Sequence, residues 1–116
     1  MKIQLKRAYE PPEKPDGARL LVERLWPRGL TKEKAGIDEW FKDVAPSQEL
    51  RKWYGHDPEK WEGFRKRYLD ELRANSEAVN RLRERVKEGP VTFVYAAKDE
   101  EHNSALLLKE FLEGKM

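Results

Sequence analysis

Apolar and polar positions alternate at the start of the chain and then change period twice. Over residues 2–7, Ile3 and Leu5 share one face and Lys2, Gln4 and Lys6 the other, which predicts a half-buried strand. Three prolines between Glu10 and Gly17 forbid regular pairing, and Asp16-Gly17 favours a turn, so that stretch reads as a loop. The run at 19–25 predicts a second, buried strand. Thr31 is placed to cap a short helix over 32–36. Ile37, Trp40, Phe41 and Val44 fall on one helical face, which predicts a helix over 37–45 ended by Pro46.

Helical spacing dominates the middle. Ser47 caps a helix over 48–54 that Gly55 closes. Asp57-Pro58 opens a longer one, whose Trp61, Phe64, Tyr68, Leu69 and Leu72 form one apolar stripe. Ser76 caps the next, with Val79, Leu82 and Val86 inward, and Gly89-Pro90 stops it. Residues 91–97 are continuously apolar, as a strand covered on both faces of a parallel sheet would be. Lys98-Asp99 turns the chain into a final helix over 100–113 that buries Leu106, Leu107, Phe111 and Leu112.

Strand, helical crossover and buried strand together predict a single α/β domain over residues 1–116. It is a small three-layer domain with a mainly parallel sheet flanked by helices. The connection at 8–18 is too short for a crossover helix, so the first strand is expected to be antiparallel or at an edge.

Composition narrows the function classes. Lys plus Arg total 24 against 22 Asp plus Glu, a net charge of +2, so no global field recruits nucleic acid, which makes nucleic acid an unlikely partner. The absence of cysteine removes disulfides, thiolate nucleophiles and Cys-based metal sites, and two distant histidines make a poor metal site. Neither a cofactor nor a metal is expected. The first residues have no signal-peptide core and no stretch approaches membrane-spanning length, so a cytoplasmic protein with no membrane partner is expected. Glu and Lys are abundant and Asn and Gln scarce, a bias shared by thermophile proteins and by ordinary charged helical surfaces.

Candidate chemistry gathers where strands end in charge. Arg24-Leu25-Trp26-Pro27-Arg28-Gly29 follows the second strand, and Lys98 follows the strand at 91–97. In open α/β sheets ligands sit beyond the carboxyl ends of the strands. If those strands are parallel neighbours, Arg24, Arg28 and Lys98 converge beside the amino end of the last helix, where His102 and Asn103 stand. The expected ligand is a small anionic molecule, a phosphate, nucleotide or carboxylate. Arg24 and Arg28 would clamp it and Trp26 would stack on a ring. His102, its imidazole held neutral by the helix end, is the acid–base candidate. The alternative is a non-enzymatic interaction module in which Arg24 is structural, paired with Asp38 or Glu39. An edge strand at 2–7 would also permit a homo-oligomer.

The segments Leu21 to Gly29, Pro46-Ser47 with Leu50-Arg51, Tyr95 to Asp99, and His102-Asn103 with Ala105 resemble those of a bacterial and archaeal family. It is the YeaO-like branch of the domain of unknown function 488 family. The resemblance runs end to end. It implies a small α/β domain with a mainly parallel sheet and no established activity. The motif positions it carries over are Arg24, Trp26, Pro27, Arg28, Gly29, Arg51, Lys98, His102 and Asn103. The wider family often has a Cys-His-Arg element near the last helix; with no cysteine here, thiol chemistry does not transfer.

Overall fold

A computed structural model describes residues 2–115. Its four strands are β1 (Ile3–Arg7), β2 (Ala18–Leu21), β3 (Glu39–Trp40) and β4 (Val91–Tyr95), and every pairing among them is parallel, in the order β1-β4-β2-β3. The helices are α1 (Lys32–Ala35), α2 (Gln48–Tyr54), α3 (Trp61–Ala74), α4 (Ser76–Lys87) and α5 (Ser104–Leu112). The α/β class read from the sequence is the observed one.

β4 occupies the middle, which explains why all five of its residues are buried. It also settles the direction of β1, which lies at an edge and runs parallel. A short connection suffices because β1 and β2 are not neighbours: residues 8–17 need only cross over β4. Gly17, at φ +64°, lets that strap lie directly against the Pro90 carbonyl, where a Cβ would collide.

The two faces of the sheet are covered unequally. Leu20, Val22, Val91, Phe93 and Tyr95 pack against α2 to α5, around Leu50, Phe64, Tyr68, Leu82, Leu107 and Leu108. The other face is covered by irregular chain, with Ala8, Leu21 and Val94 beneath Trp26, Leu30 and Ile37. Through the same irregular layer runs a buried ionic network. Asp16 accepts from Lys6 Nζ at 3.1 Å and from Arg19 Nη1 at 2.8 Å. Arg19, only 2% exposed, also donates to the carbonyls of Ala35 and Glu10.

Several sequence boundaries need correction. The helix expected over 37–45 is strand β3 followed by a 3-10 turn at Lys42–Val44. Asp38 causes this: its backbone N–H donates to the Arg19 carbonyl and its carboxylate accepts from the Arg19 N–H, which draws the segment onto β2. β2 stops at Leu21 instead of 25, and Leu25 is 61% exposed. Asp57 does cap, but the helix it opens is a 3-10 turn at Pro58–Lys60 that leads into α3. Asn75 precedes α4, so Ser76 is its first residue and not its cap. α5 begins at Ser104, not at 100, because Asp99 Oδ1 holds the N–H groups of Glu101 and His102 in a turn ahead of it. Leu108 is buried in that helix where Leu106 was expected.

Candidate functional site

Beyond the carboxyl ends of β2 and β4 opens a cleft of about 220 Å³, lined by Glu23, Arg51, Tyr54, His56 and His102 among others. It is built by chain reversals. Val22 still bonds to Val94, but at Glu23 the chain leaves the sheet and the carboxylate turns back: Glu23 Oε1 accepts from the Ala96 N–H at 3.3 Å. Its other oxygen has no partner among the described residues. Burial raises the Glu23 pKa, while the Ala96 N–H and the positive charge of Arg51 and His56 act against that rise.

Arg51 and Tyr54 come from α2, whose start is fixed by Ser47, the side chain accepting from the Leu50 N–H. Ser47 is in turn clamped by Glu71, which accepts from both its N–H and its hydroxyl. Arg51 is half-buried and makes no ion pair or side-chain hydrogen bond among the described residues. No buried side-chain nitrogen or oxygen there lacks a partner, so the free Glu23 oxygen and the Arg51 guanidinium both reach solvent. The tyrosine ring forms the wall with Phe64, their centroids 4.5 Å apart. Burial, with Asp99 and Asp57 nearby, raises the Tyr54 pKa.

Gly55 caps α2 in the left-handed region, and His56 follows at φ +58°. Among the described residues His56 is the one non-glycine with positive φ. Such backbone is uncommon and collects at ligand sites. The second imidazole is oriented more firmly. His102 Nδ1 lies 3.0 Å from Asp99 Oδ2, and the ring stands edge-on to Trp61 with centroids 5.0 Å apart. That contact places the Nδ1 proton toward Asp99 and leaves Nε2 as the nitrogen available to the cleft. The N–H groups of Glu101 and then the His102 ring hold the Asp99 pKa down.

The residues read as candidates from the sequence divide. Arg51, His102 and Asn103 line the cleft; Arg24, Trp26, Arg28, Gly29 and Lys98 do not. Arg24 donates to the carbonyls of Pro46 and Ala45 at 3.0 and 2.9 Å, holding the segment that leads into α2. Neither Asp38 nor Glu39 is its partner. Trp26 donates to the Leu30 carbonyl and meets Trp40 edge-on, on the helix-poor face. Gly29, at φ +80°, serves the turn closed by Leu30 N–H to the Pro27 carbonyl. Arg28 and Lys98 are exposed, and the cleft forms without Arg24, Arg28 or Lys98 in its lining. Asn103 has both ends of its amide engaged: Oδ1 caps Leu106 and Nδ2 donates to the carbonyls of Asp99 and Glu100. Glu23 escaped the sequence reading although it stood within the quoted strand end. An acid closing an apolar run was the available signal.

The chain matches the model of a family described as the inactive DUF488-N3 subclade over residues 2–116. It is similar to an uncharacterized protein of Escherichia coli K12, YeaO, at 44% identity over 114 residues, covering 98% of this chain and 99% of that one. It is also similar to an uncharacterized protein of Mycobacterium tuberculosis H37Rv, at 40% identity over 98% of this chain and 96% of that one. No solved structure gives a significant match.

Proposed function

The chain belongs to the YeaO-like branch of the domain of unknown function 488 family, within its inactive N3 subclade, and from that premise we propose that it binds a small anionic ligand without converting it. The observation that carries the reading is Arg51: a guanidinium at the cleft with no acid paired to it among the described residues. A half-buried positive group left without a counter-ion favours an anion from solution. His56 and His102 add donors when protonated, and Ser104 brings the positive amino end of α5 to the rim.

Size supports a phosphate- or carboxylate-bearing fragment over a whole nucleotide. Drug-sized ligands occupy roughly 300–1,000 Å³, and this cleft offers about 220 Å³. Binding without turnover fits the description of the subclade as inactive and a sequence without cysteine. Thermal denaturation with inorganic phosphate, acetate and small carboxylates tests the reading. A raised melting temperature that Arg51→Met abolishes supports it. The same response in Arg51→Met, or no response to any anion, overturns it.

A second reading, an interaction module with a structural arginine, draws on Arg24, whose guanidinium is spent on two backbone carbonyls. It describes that residue and leaves Arg51 without an account.

A further inference from the structure

The cleft holds charge of both signs, left unpaired. Glu23 and Arg51 both line it, close enough for Arg51 to bear on the titration of Glu23. They form no ion pair, although paired side chains are the usual fate of opposite charges in a half-buried pocket. Each keeps an open valence: one oxygen of Glu23 and the whole guanidinium of Arg51 reach solvent.

The backbones that carry the two groups are each anchored. Glu23 is anchored by the Ala96 N–H, and its neighbour Arg24 is fixed to Ala45 and Pro46. Arg51 rides on α2, whose first turn is clamped through Ser47 to Glu71. The site is therefore a pair of opposite poles carried on anchored elements, with Tyr54 and Phe64 as an aromatic wall.

Resting on the anion-binding reading above, we infer that the ligand is a zwitterion of amino-acid size, its carboxylate on Arg51 and its ammonium on Glu23. Two features favour this over a simple anion. A phosphate dianion beside Arg51 would also face the Glu23 carboxylate and be repelled, whereas an ammonium gives that carboxylate a charge-assisted partner. The space, about 220 Å³, corresponds to roughly seven waters at about 30 Å³ each, the scale of a free amino acid and not of a peptide. The other titratable groups lining the site are Tyr54, His56 and His102, with Asp99 turned to His102. The wall of Tyr54, Phe64 and Ala97 suits an apolar side chain.

Calorimetric titration of the full chain with each of the twenty common amino acids, with acetate and with inorganic phosphate tests this. The expected result is at least one amino acid bound about tenfold or more tightly than acetate, a margin set by one charge-assisted hydrogen bond. Glu23→Gln should erase that margin and leave acetate binding unchanged or stronger. Gln keeps an acceptor for the Ala96 N–H, and an unaltered circular dichroism spectrum verifies the fold. If acetate or phosphate binds as well as every amino acid, or if Glu23→Gln keeps the margin, the zwitterion is overturned and the anion site stands. If none of these probes binds, or Arg51→Met binds them all as the parent does, the anion site itself is overturned.

Discussion

The protein handles charge in opposite ways at two places. Toward the amino ends of β2 and β4, Asp16, Arg19 and Lys6 form a buried network whose every polar arm ends on a partner within the chain. Beyond the carboxyl ends of the same strands, Glu23 and Arg51 face one cleft without pairing. The first group closes the fold: Lys6 lies on β1, Arg19 on β2 and Asp16 in the strap between them. The second closes nothing. Charges that serve the fold are matched internally, and those left over are the ones that can act on something else.

Breaking the closed network gives the largest effect. Arg19→Met takes from Asp16 its buried partner and from the Ala35 and Glu10 carbonyls their donor, and should cost about 3–5 kcal/mol of stability in urea denaturation. A loss below about 1 kcal/mol, the scale of a surface ion pair, would erase the distinction between the two regions.

Arg24→Met comes next. It leaves the carbonyls of Ala45 and Pro46 without their donor, at a cost of about 1–3 kcal/mol. It should not change anion affinity by much, because Arg24 does not line the cleft.

Acidification sharpens the contrast in sign. Burial pushes the Asp16 carboxyl up, but the Glu13 N–H, Arg19 and Lys6 together outweigh it and hold the pKa below its ordinary value. An unfolded Asp titrates near about 3.9. The stability that Asp16 contributes is therefore present above that pH and lost as pH falls through the lower folded value. Glu23 runs the other way: with its folded pKa raised, its ionisation costs stability as pH climbs past the unfolded value of about 4.3. Acid titration followed by circular dichroism should show an unfolding limb below about pH 4 that shrinks in Asp16→Asn and persists in Glu23→Gln.

The smallest effects belong to the open cleft. Arg51→Met and Glu23→Gln should each move stability at neutral pH by no more than about 0.5 kcal/mol, the second in the stabilising direction. Losses of several kcal/mol would make the cleft pair a structural device like the first.

What the sequence disclosed tracks how locally each feature is determined. The strands at Ile3–Arg7 and Val91–Tyr95 were legible because burial writes itself into alternation or into a continuous apolar run. Ser47 and Gly55 marked α2 because a cap acts within four residues. The segment at 37–45 misled because its spacing satisfies a helix, while its structure is decided by Asp38 meeting Arg19, 19 positions away. Arg24 misled for the same reason: its partners lie 21 and 22 residues downstream, and they are carbonyls, which every residue carries. Arg51 came through the family resemblance and His102 through its place at the amino end of the last helix, and both line the cleft, whereas Glu23 needed the three-dimensional reversal that turns its carboxylate onto Ala96.

The sheet's central position is filled by its last strand. β1 and β2 leave a strand-wide gap that only residues 91–95 fill. A nascent chain emerging from the ribosome thus carries three strands, of which β1 has no neighbour to bond with, until most of the polypeptide has been made. Assembly must wait for a contact some 88 positions apart, Ile3 with Val91, and loop closure over such a span is slow. Release of a chain truncated before that point would yield no smaller working version of the domain.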